Sequence, residues 1–357
     1  MDMSFDRIVK LLLIFAPVAV IAELAGADPV LVFVFAALGV IPLADLIGEA
    51  TEELAVHTGP KIGGLLNATL GNAAELIITI FALREGLVEL VRASITGSIL
   101  GNLLLVLGLS FVVGGLKNGI QQFDRRTAGL NATMLILAVI ALLVPSLFDV
   151  ALVENRVAEL GLSEGVAVVM IVIYGLSVWY TFRQGEPLTR APAIGESHHA
   201  RWSVRFALGV LAAATLGIVF LSEVLVGAVG HVTETLGLTE FFIGIIIIPL
   251  VGNVAEHLVA VQVAYKNKME LSMAVSLGSS LQVALFVAPV LVFVSLLMGG
   301  ETLLLVFNGF ELIALVAASL IAAFIALDGE SNWLEGAMLL AVYMIIAIAF
   351  FYLPAGA

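Results

Sequence analysis

Eleven apolar runs dominate the chain, set apart by short polar, glycine or proline punctuation: residues 8–25, 29–48, 61–83, 91–115, 127–148, 164–182, 203–224, 240–264, 269–298, 302–327 and 331–353. A run of roughly 20 apolar residues crosses the hydrocarbon core of a bilayer as a helix. In lipid only helices and closed barrels satisfy every backbone group, and these runs lack the two-residue alternation of strands. The expected fold class is all-α integral membrane. With 61% of its 357 residues hydrophobic and a mean hydropathy of +1.16, the chain is too apolar for a water-soluble core to absorb. The first run has no small-residue cleavage site and a second run follows at once, so it reads as a span that is retained.

Composition removes several functions. There is no cysteine, hence no disulfide or thiolate metal site, and 5 histidines disfavour an all-protein zinc cage. A formal charge of -13 argues against nucleic acid as a partner. No glycine-rich phosphate loop is present, so ATP is not expected to drive the protein. Neither a paired aspartyl site nor a histidine-rich metal site supports an intramembrane enzyme, and no prosthetic group is called for.

The basic residues orient the spans. With the N-terminus cytoplasmic, the inner side holds Arg7, Lys10, Lys61, Lys117, Arg125, Arg126, Arg183, Arg190, Arg201, Arg205, Lys266 and Lys268, and the outer side only Arg84, Arg92 and Arg156. That split follows the positive-inside rule and puts the C-terminus outside. The stretch 183–203, rich in proline, glycine and charge, reads as a cytoplasmic linker between two halves.

The halves are copies. An offset of 181 residues carries Gly71, Asn72, Ala74 and Glu75 onto Gly252, Asn253, Ala255 and Glu256. It also carries Ile62-Gly63, Glu89-Leu90, Ala93, Gly97-Ser98 and Leu100 onto Ile243-Gly244, Glu270-Leu271, Ala274, Gly278-Ser279 and Leu281. Upstream, Asp45 pairs with Glu223 once three residues are added to the second loop. Five spans separate the copies, an odd number, so the copies point in opposite directions. The expected organisation is one extra N-terminal helix (1–28), a first five-helix repeat (29–182), the linker (183–203) and an inverted second repeat (204–357). Inverted repeats are a common build of secondary transporters, whose sites lie near the bilayer midplane. A channel, which needs a continuous pore, fits this pattern less well.

Glu75 is the only formally charged residue between Ile62 and Leu83, and Glu256 the only one between Phe241 and Ala264. A charge at bilayer depth costs about 2.5–3.5 kcal/mol on insertion scales, so something must offset it. Asn72 lies three residues before Glu75 and Asn253 three before Glu256, one helix face in each copy. Gly71 and Gly252 admit close helix approach or a broken helix with a free carbonyl, and Pro249 favours the break in the second copy. Ser98 and Asn102 share one face of the following span, and Ser279 and Gln282 one face of its mate. The pooled set is carboxylate, amide, hydroxyl and carbonyl oxygen, the donors that hard cations prefer. Two carboxylates balance one divalent cation or two protons, and such competition forces antiport. Polar residues also serve merely to glue helices together. That bland reading weighs on Ser98, Ser279 and Gln282, and more on Asn102, whose mate is Val283. His257 relays protons or is simply a packed histidine. Glu311, a third intramembrane acid, lines a proton path or pairs with a polar group on another helix. Asp45 and Glu223, near membrane edges, line pathway mouths or are merely solvated.

The stretches "GNAAELIITIFALREG" with "GSILGNLLLVLG", then "GNVAEHLVAVQVAYKNKMELSMAVSLGSSLQVALFVAP", resemble the paired signature repeats of the Ca2+/H+ exchanger family, within the Ca2+/cation antiporter superfamily. The segment "DGESNWLEGAMLL" is similar too, and the resemblance covers nearly the whole chain. Sister Na+/Ca2+ exchangers usually carry proline before the acid, whereas Ala74 and Ala255 stand here. The resemblance implies Ca2+ held by Glu75 and Glu256, with Asn72, Asn253, Ser98, Ser279, Gln282 and glycine carbonyls helping. It also implies that spans two and seven move as a gate for alternating access. The long regulatory tail and acidic inter-half helix of some eukaryotic members are missing, which favours a compact prokaryotic-type exchanger in a plasma membrane. A K+/H+, Na+/H+ or Na+/Ca2+ antiporter on the same scaffold is the alternative.

Overall fold

The computed structural model describes residues 9–152, 155–184 and 200–354. The core of the expected linker, the start of the first span and the side chains of Arg7 and Arg190 lie outside the described residues. The protein is an all-α integral membrane protein. The described residues fold into α1 (Phe15–Leu24), α2 (Pro29–Thr58), α3 (Pro60–Leu70), α4 (Ala73–Arg84), α5 (Val88–Asn118), α6 (Arg125–Leu152) and α7 (Arg156–Gln184). After the linker come α8 (Val204–Gly227), α9 (Val229–Leu236), α10 (Glu240–Tyr265), α11 (Met269–Met298), α12 (Gly309–Asp328) and α13 (Trp333–Phe351). Among the described residues, 9 helices are long and apolar enough to cross a membrane. The first and third expected spans are the exceptions: the first is short, and the third is split into α3 and α4.

Local chemistry sets where the helices begin. Asp28 accepts from Val30 N at 2.9 Å with Pro29 in the first turn of α2, Thr239 Oγ1 accepts from Phe242 N at 3.0 Å in α10, and Asn332 opens α13 with a capping box to Glu335. Each side-chain oxygen answers an amide that has no partner within the helix.

Further departures concern where spans end, start and break. α2 runs ten residues past the expected end at 48, through Glu49, Glu52 and Glu53. The acids there mark the edge of the hydrocarbon, not of the helix. The span expected over 302–327 begins only at Gly309. The apolar stretch before it is irregular, with a bend at Leu305, and its amides are answered by serine hydroxyls. Leu303 N donates to Ser295 Oγ (2.9 Å), Leu305 N to Ser163 Oγ (3.3 Å) and Phe307 N to Ser146 Oγ (2.9 Å), while Arg92 Nη1 donates to Val306 O (2.9 Å). Irregular backbone at depth is tolerated where protein supplies such partners. Finally, of the two breaks that the glycines admit, the one at Gly71–Asn72 forms, while the one favoured by Pro249 is replaced by a π-helical turn at Ile243–Ile247.

The internal repeat is visible in the elements. Val88 opens α5 and Met269 opens α11, at the 181-residue offset. Each helix then contains a π-helical turn, Gly101–Val106 in α5 and Val283–Val287 in α11, at matching positions.

Two compact units divide the chain, each drawing on both halves. One gathers residues 1–91 and 194–256, the other residues 92–193 and 257–357. In the first, α2 packs against α1, α3, α8 and α9. Its contact with α8 is reciprocal: a Cβ built on Gly39 would stand 2.9 Å from Leu221 Cδ1, and one on Gly217 would stand 2.8 Å from Leu43 Cδ1. Each glycine thus seats the other helix's leucine, the small-residue packing that lets membrane helices approach. At its far end α2 is clasped to the segment entering α8. Glu53 accepts from Arg201 N (2.8 Å) and Trp202 N (3.1 Å), His57 Nε2 bonds Trp202 O (2.8 Å), and Glu49 meets both Lys10 and Arg201 at 3.3 Å. In the second unit α13 packs on α5, α12 on α6, and α11 on α6 and on the π-helical turn of α5. A two-stranded antiparallel pair, β1 (Gln121–Gln122) with β2 (Glu330–Ser331), ties two of its loops.

Candidate functional site: paired glutamates

In the first copy the helix stops at Leu70 and restarts at Ala73. Gly71 N still donates to Asn67 O at 2.9 Å and Leu76 N to Asn72 O at 2.9 Å, so the interruption is confined to Gly71 and Asn72. Glycine is a poor helix former, and asparagine favours cap positions. The break puts Glu75 in the first turn of α4, at the end that carries unmatched amides and the positive pole of the helix dipole. The second copy has the same glycine–asparagine pair inside an unbroken α10. There the irregularity is a π-helical turn, Ile243–Ile247, just before Pro249. A widened turn accommodates a proline ring that would otherwise press on the carbonyl four residues back. The dipeptide permits a break without dictating one.

The two motifs meet within the first unit, each glutamate against the other copy's glycine. A Cβ on Gly71 would lie 3.1 Å from Glu256 Oε1, and a Cβ on Gly252 would lie 3.9 Å from Glu75 Cα and Cβ. A side chain at position 71 would push into the Glu256 carboxylate. Asn72 and Asn253 are each 1% exposed and Glu75 2%. Asn72 Oδ1, Glu75 Oε2, Asn253 Oδ1 and Glu256 Oε2 are all sealed from solvent. Among the described residues no three His, Cys, Asp or Glu side chains cluster as metal ligands. A cation here would therefore take two carboxylates together with amide and backbone oxygens, which suits a hard cation.

Of the remaining candidates, the first unit holds Asp45 and Glu223 and the second unit the others. Ser98 and Asn102 are buried on α5, Asn102 inside its π-helical turn, and Ser279 and Gln282 are buried on α11 just before the matching turn. Single π turns in membrane helices are frequent at functional sites. His257 is buried, and its Nε2 has no hydrogen-bond partner among the described residues. Glu311 is accounted for locally. Its Oε2 accepts from Asn308 N at 3.0 Å, its own amide donates to Asn308 Oδ1 at 2.8 Å, and Thr96 Oγ1 donates to its Oε1 at 2.8 Å. Glu223 pairs with Arg84 at 3.5 Å, with both side chains more than half exposed, a pair worth little. Asp45 is half-buried on α2, one turn before Glu49. Sequence reasoning missed Thr96 and the serines at 146, 163 and 295. Hydroxyls scattered over separate helices leave no spacing signal.

A family model described as "Sodium/calcium exchanger protein" matches residues 29–183 and 206–352. The Ca(2+)/H(+) antiporter of Synechocystis is 46% identical over 98% of this chain and 98% of its own. The Ca(2+)/H(+) antiporter ChaA of Bacillus subtilis is 46% identical over 94% and 96%. The solved structure of the Ca2+/H+ antiporter protein YfkE matches with a TM-score of 0.85 at 43% identity, covering 97% of this chain and 100% of that one. The chain belongs to the sodium/calcium exchanger protein family.

Proposed function

We propose that this protein is a secondary transporter that exchanges Ca2+ for H+ across the cell membrane by alternating access, with Glu75 and Glu256 as the groups for which the two ions compete. The observation that carries the reading is the crossed contact of Gly71 with Glu256 and of Gly252 with Glu75. It sets Glu75, which is buried, and Glu256, which is half-buried, each against the glycine of the opposite copy. Each ionised carboxylate at depth costs about 2.5–3.5 kcal/mol. One divalent cation offsets both charges, and two protons remove them. Occupancy by either ion excludes the other, so a single site couples the two flows. Relatives near 46% identity that are Ca(2+)/H(+) antiporters support the choice of ions. Asn72 and Asn253 supply amide oxygens from the same helices as the acids. Ser98, Ser279 and Gln282 are the further helpers that the family resemblance implies.

The reciprocal Gly39–Leu221 and Gly217–Leu43 seats, with the clasp at Arg201–Trp202, support a gate in which α2 and α8 move together. The cytoplasmic N-terminus rests on the distribution of basic residues.

Purified protein in sealed liposomes tests the reading. A pH gradient should drive Ca2+ uptake reported by a trapped dye, and Glu75→Gln or Glu256→Gln should each abolish it. Proton flux driven by K+ or Na+, without a Ca2+ response, would transfer the scaffold to a monovalent antiporter. Ca2+ flux that survives both substitutions would remove the site from these residues.

A further inference from the structure

Two polar faces of the second unit extend beyond the candidate ligands Ser98, Asn102 and Ser279, through Ser94 on one helix and Ser272 and Ser276 on the other. α5 carries Ser94, Ser98 and Asn102 at intervals of four, and α11 carries Ser272, Ser276 and Ser279 at intervals of four and three. Each set lies along one side of its helix. Ser94, Ser272 and Ser276 are fully buried, and Asn102 and Ser279 are 1% and 3% exposed. The Oγ of Ser94, Ser272, Ser276 and Ser279 and the Nδ2 of Asn102 have no hydrogen-bond partner among the described residues. A hydroxyl on a helix commonly closes on the carbonyl one turn back, as Ser280 Oγ does to Ser276 O at 2.9 Å. These four hydroxyls do not. α11 packs directly on the π-helical turn that contains Asn102. In the orientation read from the basic residues, Ser94 lies in the outer half of α5, and Ser272 and Ser276 lie in the inner half of α11. The offset positions of Ser272 and Ser276 in the first copy are Val91 and Ile95, so the repeat did not dictate the inner set.

Buried polar groups without partners call for an explanation, and ordered water is the usual one. We propose that the two faces hold files of water that deliver protons, an outer file along Ser94 and Ser98 and an inner file along Ser272, Ser276 and Ser279, which end on either side of Asn102. This deepens the exchange reading and rests on it. Water and serine hydroxyls both donate and accept, so a proton enters one end of a file as another leaves the far end, and only O–H bonds are exchanged. The Asn102 Nδ2 donates but cannot accept. It therefore interrupts the relay, which an antiporter needs if protons are not to leak past the cation.

The chain has no cysteine, so single thiols can be placed at will. Ser94→Cys and Ser276→Cys should react with silver ion at least tenfold faster than Ile345→Cys, a side chain 66% exposed on the outside of α13. Reaction no faster than that control would overturn the water files. In liposomes, the double change Ser272→Ala and Ser276→Ala should slow pH-driven Ca2+ uptake at least fivefold and raise its solvent deuterium isotope effect, with Ca2+ binding at fixed pH unchanged. Unchanged uptake and isotope effect would overturn the proton role. Asn102→Ser should admit a proton leak in the absence of Ca2+, and a tight bilayer with that variant would overturn the barrier. If the parent protein shows no pH-driven Ca2+ uptake, the exchange reading fails, and the silver reaction still decides whether the files exist.

Discussion

Glu311 offers the sharpest test, because two accounts of it predict opposite outcomes. If it carries protons, replacing it with glutamine removes a titratable group and should abolish coupling without altering the fold. The geometry assigns it to the start of α12 instead. One carboxylate oxygen accepts from Asn308 N at 3.0 Å and the other from Thr96 Oγ1 at 2.8 Å. In Glu311→Gln the amide oxygen can keep the Asn308 N–H, and the Thr96 hydroxyl can turn to accept from the new amide group. The loss is then the charge assistance of two bonds, about 1 kcal/mol. Glu311→Ala loses the box and both bonds, leaves the Thr96 hydroxyl without this acceptor and opens a small void, together about 3 kcal/mol. Thermal unfolding in detergent, followed by loss of the monodisperse peak, should rank the melting points parent, glutamine, alanine. The glutamine variant should retain pH-driven Ca2+ uptake. A glutamine variant with parental melting and no coupled uptake would refute the cap and restore the proton path.

The two glycines that seat leucines should differ. Gly39→Ala meets Ala16 N and Cα as well as Leu221, all at 2.9 Å, so backbone must move, at about 1–3 kcal/mol. Gly217→Ala meets only Leu43 side-chain atoms and should be nearly neutral. Equal melting points would contradict this account. Glu53→Ala strips an acceptor from two backbone amides and should cost about 2 kcal/mol, read as a lower melting point and faster proteolysis after residue 200. Asp124, outside the spans, is held below the ordinary carboxylate value of 3.8 by its bond to Thr127 and then by Arg126. A lowered folded-state value means a contribution that is present above 3.8 and lost as pH falls below it. Asp124→Ala should flatten the acid limb of the stability profile there, and an unaltered limb would discount the cap.

Nine of the eleven expected spans and the paired motifs were legible because hydropathy and a fixed offset are properties of residue order. What was hidden depended on partners distant in sequence. Residues 302–307 are apolar enough for a helix, and serines on three other helices, with Arg92, let them stay irregular. The start signal was present: asparagine at 308 followed three residues later by glutamate is a capping-box spacing. Hydropathy outweighed it, so Glu311 was left between a proton path and a polar partner on another helix, and Thr96 is such a partner. The break at Gly71 was legible only as one alternative, since the same dipeptide remains helical at 252 and 253. The end of α2 was misplaced because a helix need not stop where lipid does.

The π-helical turns in α5 and α11 bear on the history of the chain. Such a turn amounts to one extra residue in a helix, and it rotates everything after it relative to everything before. Two insertions at the same offset are most simply one insertion, present in the ancestral half before that half was copied and inverted. The break at Gly71–Asn72 and the turn at Ile243–Ile247 have no mates, so they date from after the copying, when the two glutamate-bearing segments diverged. The helices that follow the motifs preserve the older geometry, and those that carry the acids record where the copies parted.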